Sequence, residues 1–168
     1  MINYLVGDAT RPQVPGNKII AHICNDAGGW GAGFVLALSK RWKEPEKQYR
    51  DWFKRKDDFE LGEVLYVRVA NDIWVANMIA QHGYMDRMSG VPIRYDALAK
   101  CLTDLHGTAQ DHMASVHMPR IGTGLAGGKW DVIEPMIEQA FAPTVLGPGE
   151  EWKRPFKPTP EVYVYDLP

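Results

Sequence analysis

Two strand–glycine loop–helix passages govern what this chain can fold into. The first begins with Lys18-Ile19-Ile20-Ala21-His22-Ile23-Cys24, nearly continuous apolar, and crosses Asn25-Asp26-Ala27-Gly28-Gly29-Trp30-Gly31-Ala32-Gly33. It then enters a segment whose Phe34, Val35, Leu38 and Trp42 recur at helical spacing. The second leaves a short strand over 115–118 and crosses Pro119-Arg120-Ile121-Gly122-Thr123-Gly124-Leu125-Ala126-Gly127-Gly128 before a helical pattern over 131–141. An unbroken apolar strand is buried on both faces, as in a parallel sheet covered by helices. Glycine admits positive φ and removes the Cβ that would hold a ligand away. A helix start behind such a loop presents free N–H groups and a partial positive charge. Either loop alone reads equally as a tight turn. Two in equivalent positions form a crevice suited to a diphosphate.

The remaining elements complete a layered pattern. A short strand over 2–6 stops at Gly7-Asp8, and a helix with Pro45 at its first position carries Tyr49, Trp52 and Phe53 on one face. Strands over 63–69 and 73–79 flank Asn71-Asp72, a hairpin signal. A long helix is expected from Pro92 to about Met113, with Gly107 the residue least favourable to its continuity. The segment 142–160 holds five of the twelve prolines and reads as an excursion before a closing strand over 161–167. The expectation is one α/β domain over 1–168, a three-layer α/β/α sandwich with a central mixed sheet.

Composition narrows the function classes. Net charge is −2 with a pI near 6.2, which argues against a dedicated nucleic-acid binder. No apolar run approaches the ~20 residues of a membrane span. The start, Met1-Ile2-Asn3-Tyr4, has no signal-peptide character, and two cysteines, Cys24 and Cys101, suit a reducing compartment, so a cytoplasmic location is expected. No His/Cys/Asp cluster has metal-ligand spacing, so neither metal nor cofactor is expected. A monomer remains open. Gly122 to Gly127 matches G-x-G-x-x-G formally, but it lies late in the chain with no strand close behind, and Gly128-Lys129-Trp130 fails as the end of a phosphate-binding P-loop.

These residues resemble the macrodomain family of ADP-ribose-binding proteins. The resemblance rests on Val6-Gly7-Asp8-Ala9-Thr10, on Ala21-His22-Ile23-Cys24-Asn25 leading to Gly31-Ala32-Gly33, and on Met118-Pro119-Arg120-Ile121-Gly122-Thr123-Gly124-Leu125. It spans the chain outside 142–160 and is nearest to the branch of terminal ADP-ribose glycohydrolases and ADP-ribose 1″-phosphate phosphatases. It implies that Asp8, with Ala9 and Thr10 following, accepts a hydrogen bond from the adenine amino group. It implies that Asn25 faces the distal ribose, that Gly31, Ala32 and Gly33 form one phosphate loop, and that Gly122, Thr123, Gly124 and Leu125 form the other. Asp8 also reads as a helix cap. ADP-ribose and ADP-ribosylated protein are the implied partners, and the implied activities are hydrolysis of ADP-ribose from acidic side chains, cleavage of ADP-ribose 1″-phosphate, or non-catalytic reading of ADP-ribose.

The catalytic pattern departs from that branch, whose glycohydrolases pair an Asp after G-x-G-L with a Lys near the fourth strand. Ala126 follows Leu125 here, and residues 77–82 contain no Lys. The groups left near the expected distal ribose are Asn25, Asp26, Gln81, His82 and Asp86. His82 offers an imidazole, the side chain most often used for acid–base work, or it only bonds backbone at a strand end. Asp26 suits the orientation of a water, or it makes an Asx turn. Trp30 either stacks on a sugar or adenine or closes the loop's apolar edge. His22, Cys24 and His117 are expected in the core, and His106 and His112 on the solvated side of the long helix.

Overall fold

A computed structural model describes residues 1–83, 91–154 and 156–168. The chain runs β1 (Ile2–Val6), β2 (Lys18–Asn25), α1 (Phe34–Arg41), α2 (Glu44–Arg55), β3 (Val64–Ala70), β4 (Ile73–Gln81), α3 (Tyr95–Asp111), β5 (Ser115–Pro119), α4 (Trp130–Ala140) and β6 (Val162–Asp166), with one 3-10 turn at Glu151–Lys153. The six strands lie in the order β1-β6-β5-β2-β4-β3. All neighbours are parallel except β3, which pairs antiparallel with β4 as the hairpin signal predicts.

The apolar run of β2 divides its residues between two cores. Ile19 and Ala21 face the cluster built with Leu98, Leu102 and Leu105 of α3 and Ile133 and Ile137 of α4. Ile20 and Cys24 face the opposite cluster with Val35 and Leu38 of α1 and Tyr49 of α2. That is the three-layer sandwich the pattern implies, with α1 and α2 on one face and α3 and α4 on the other. Among the described residues no helix is long and apolar enough to cross a membrane.

Two local expectations change, the start of the long helix and the setting of His106. The long helix starts at Tyr95 rather than Pro92, because the preceding residues extend β4: His82 N–H donates to Pro92 O at 2.8 Å and Arg94 N–H to Ala80 O at 2.8 Å. Gly107 sits inside α3 without interrupting it. His106 is half-buried against α4 rather than on the solvated side. Its Nδ1 lies 2.7 Å from Ala140 O, its ring stacks on Phe141 at 5.2 Å, and its Nε2 is buried without a partner. This follows from the seating of α4 on α3, which periodicity along one helix does not reveal.

The topology also places a crevice. After β2 the chain passes to the α1/α2 face, whereas after the adjacent parallel β5 it passes to the α4 face. The carboxyl ends of β2 and β5 are therefore a topological switch point, where open α/β sheets bind ligands.

Candidate functional site

Both glycine loops open from that switch point onto a cavity of about 680 Å3. Gly29 to Val35 form one wall and Pro119 to Ala126 the other. His22, Cys24, Asn25 and Gln81 line its strand side, and Tyr165, Asp166 and Leu167 close it from the end of β6.

The first loop is shaped by Asn25. Its Oδ1 accepts from Ala27 N at 2.9 Å and Gly29 N at 3.1 Å, and its Nδ2 donates to Gly29 O at 2.9 Å. Tyr49 OH, from α2, donates to Asn25 O at 2.6 Å and also lies 3.0 Å from Oδ1. Asn25, rather than Asp26, makes the Asx turn, and Tyr49 is a loop-supporting residue that sequence reading assigns only to the core. The second loop is held by its backbone. Gly128 N–H donates to Gly122 O at 2.7 Å and Gly127 N–H to Gly124 O at 3.0 Å, while Thr123 Oγ1 donates to Arg120 O at 2.7 Å.

The glycines differ in what requires them. Gly122 has φ +75, and a Cβ there would lie 2.6 Å from Ile93 Cδ1, so the fold itself demands glycine. Gly124 and Gly31 have no positive φ, and a Cβ at either would meet nothing within 4 Å. The fold leaves the space over these two loop residues clear, on the two sides of one cavity.

Asp26 and His82, one residue beyond the lining Asn25 and Gln81, are brought together. Asp26 Oδ2 lies 2.7 Å from His82 Nδ1, and Asp26 Oδ1 accepts from Gly83 N at 2.8 Å. The Asp26 side chain is 20% exposed and that of His82 is 61% exposed. A carboxylate on Nδ1 places the ring proton there and leaves Nε2 as the free lone pair. His82 therefore bonds a side chain as well as backbone. Asp86 lies outside the described residues.

Asp8 stands apart from the main lining, in an adjoining groove. Its Oδ1 accepts from Thr10 N at 2.9 Å and Thr10 Oγ1 at 2.7 Å. It caps a turn, since β1 is followed by no helix before β2. Ala9 is buried beside it. Trp30, 4% exposed, is clamped in the α1/α2 core by Nε1 donation to Ser39 Oγ at 2.8 Å and edge contacts with His22 and Tyr49. It forms part of the cavity wall as a packed residue. Leu125 is exposed at the rim.

Two buried histidines are core groups, as expected. Asn77 Nδ2 donates to Pro45 O, which turns Asn77 Oδ1 toward His22 Nε2 at 2.5 Å. Burial pushes His22 down to about 4, with the Asn77 bond opposing, so its ring is neutral. His117 is likewise pushed down to about 4 by burial and by Lys18, and bonds Tyr165 OH at 2.7 Å. Burial raises the Cys24 thiol well above its ordinary value, so it is a packing group and not a nucleophile. Sequence reading missed Tyr165 and Asp166. Arg120 holds Asp166 through two bonds of 2.6 and 2.9 Å, keeping its carboxyl below the usual range. Nothing local signals that β6 lies beside β5.

No family model matches the chain. Among curated proteins it is 36% identical over 151 residues to Chromodomain-helicase-DNA-binding protein 1-like of Danio rerio, a match covering 84% of this chain. The chain spans 14% of the length of that relative. It is 25% identical to the ADP-ribose 1″-phosphate phosphatase of Lodderomyces elongisporus, across 82% of this chain and 91% of that one. A protein of unknown function from Bacteroides thetaiotaomicron superposes with a TM-score of 0.86 at 50% identity, covering 99% of this chain and 98% of its own. The macrodomain protein from Streptomyces coelicolor superposes with a TM-score of 0.80 at 46% identity, covering 99% of both chains. At 46% identity across 99% of both chains, the chain belongs to the macrodomain family.

Proposed function

We propose that the cleft binds ADP-ribose and that the protein is a hydrolase releasing ADP-ribose from acidic side chains of modified proteins. The observation that carries this reading is the pair of facing loops with clear space over Gly31 and Gly124. A diphosphate needs close backbone N–H donors and no intruding Cβ. The likeness to an ADP-ribose 1″-phosphate phosphatase supports the ligand class. On this reading Gly31, Ala32, Gly33, Gly122, Thr123, Gly124 and Leu125 hold the diphosphate, and Trp30 backs the wall. Asp8 takes the adenine amino group through Oδ2, the oxygen Thr10 leaves free, with Ala9 beside it.

The distal end falls to Asn25, Asp26 and His82. Asn25 Nδ2 keeps one hydrogen beyond its bond to Gly29 O. Hydrolysis of an ester at the ribose C1″ consumes one water and yields a carboxylic acid and ADP-ribose with a C1″ hydroxyl. His82 Nε2 takes the water proton as the oxygen attacks and returns it to the departing oxygen, while Asp26 holds the ring. An acyl ester is labile, so orientation by the diphosphate supplies much of the remainder.

The test offers the protein Glu-linked and Arg-linked ADP-ribosylated substrates and ADP-ribose 1″-phosphate. Release from the Glu-linked substrate faster than from the Arg-linked one is the expected result, and the reverse order refutes the mechanism. Two other readings have specific support. Phosphatase action is favoured by the Lodderomyces relative aligned over 91% of its length, and non-catalytic reading by Ala126 with no Lys in 77–82. Phosphate release alone selects the former; binding with no turnover selects the latter.

A further inference from the structure

A second groove, of about 540 Å3, lies at the last turn of α1, lined by Asp8, Thr10, Arg11, Ala37, Lys40 and Arg41. Three cations face one carboxylate there, a local excess of positive charge on a chain whose net charge is −2. That carboxylate offsets one of the three charges. Oδ1 serves Thr10, and Oδ2 lies 3.8 Å from Arg11 Nε, beyond hydrogen-bond distance. Arg41 is fixed, with Nη1 donating to Thr10 O at 2.5 Å and its guanidinium 4.5 Å from the Trp42 ring centroid. Burial and then the neighbouring Arg11 push Arg41 below its ordinary range, with Asp8 opposing. Among the described residues Lys40 has neither an ion pair nor a hydrogen bond.

A solvated basic face would spread its cations over a convex surface. Here they line a concavity, one of them held in place by backbone, and Asp8 is the one carboxylate among the lining residues to offset three cations. The geometry points to a phosphate-binding subsite formed by Arg11, Lys40 and Arg41. Phe34 and Val35 of α1 line the main cleft, and Ala37, Lys40 and Arg41 of the same helix line this groove, so the two sites lie along one short helix. Resting on the ADP-ribose reading, with adenine at Asp8, the subsite takes a phosphate carried on the adenosine side of the ligand, away from the reacting C1″. The class is an ADP-ribose bearing an added phosphate on its adenosine ribose, which the cleft alone does not distinguish from ADP-ribose.

The test separates the subsite from the cleft. Gly124→Glu blocks the cleft, and its Cβ meets nothing in the protein. Calorimetric titration of that variant with inorganic diphosphate at low salt should still show binding. Adding Arg11→Ala and Lys40→Ala, both at exposed positions, should weaken it about tenfold. In the parent protein, ADP-ribose 2′-phosphate should bind more tightly than ADP-ribose, and the double substitution should remove the difference. Absence of diphosphate binding to Gly124→Glu, or binding unchanged by the two alanines, overturns the subsite. If ADP-ribose fails to bind the parent while diphosphate still binds Gly124→Glu through Arg11 and Lys40, the cleft reading falls and the subsite stands.

Discussion

Gly124 and Gly122 sit two residues apart in one loop, yet the structure assigns them opposite costs. At Gly124 the backbone is not in the positive-φ region and an added Cβ meets nothing within 4 Å. Gly124→Glu should therefore leave stability within about 0.5 kcal/mol of the parent, the usual range for an exposed substitution. Its carboxylate, about 5 Å from a bound phosphate, repels each phosphate charge by about 3 kcal/mol at an effective dielectric near 20. Together with the lost volume, that predicts ADP-ribose binding weaker by at least about 100-fold. At Gly122 the order reverses. Positive φ costs a non-glycine residue about 1–2 kcal/mol. The Cβ would also press on Ile93 Cδ1 at 2.6 Å and Ile133 Cδ1 at 3.0 Å, an overpacking cost of about 1–3 kcal/mol. Gly122→Ala should lose about 2–5 kcal/mol in urea unfolding. Calorimetry and denaturation of both variants check the pair. Parent-like ADP-ribose affinity in Gly124→Glu refutes the loop assignment, and parent-like stability in Gly122→Ala refutes the packing argument.

Asp8→Ala should weaken ADP-ribose binding by about 1.5–3 kcal/mol, the range for a bond to a charged partner, with lost discrimination against the guanine analogue as the second readout in calorimetry. Tyr49→Phe removes the hydroxyl that holds Asn25 and should cost about 0.5–1.5 kcal/mol of stability in urea unfolding, with a measurable loss of ligand affinity as loop one loosens. His22 and His117 are neutral in the folded state at values near 4 but take protons near 6.5 when unfolded, so stability is full above pH 6.5 and falls as pH drops toward 4. At 1.36 kcal/mol per pH unit each contributes about 3 kcal/mol to that fall, and His117→Gln should flatten the stability–pH curve measured between pH 7 and 4.5.

The sheet was largely legible because burial on both faces leaves a mark in composition. The run from Lys18 to Cys24 reads as a central strand, and β2 indeed feeds both cores. Glycine spacing located both loops, since a crevice at strand ends needs short, Cβ-poor connections. What stayed hidden depends on elements distant in sequence. Tyr165 and Asp166 enter the cavity wall only because β6 inserts between β1 and β5. His106 is covered by α4, and Tyr49 reaches Asn25 across the α1/α2 face. The Asp26–His82 contact joins residues 56 positions apart through the pairing of β2 with β4. Periodicity places a side chain on a face, but it does not say what that face meets.

The way each loop is braced decides which substitutions report on chemistry. Loop two is held by its own backbone, whereas loop one depends on the Asn25 amide, which accepts from Ala27 and Gly29 and donates to Gly29. Removing that amide loosens loop one itself, so on the proposed reading an Asn25 variant should mix binding with turnover. The Asp26–His82 pair lies outside the cavity lining and makes no bond to either glycine run. It can be altered while the cradle stays intact. His82→Ala should then lower kcat with ADP-ribose affinity unchanged, and Asp26→Asn, which keeps a partner near Nδ1 but removes its charge, should move the pH profile as well as the rate. A His82 variant that loses affinity and turnover in equal proportion would instead place His82 among the binding groups, and the acid–base role would fail.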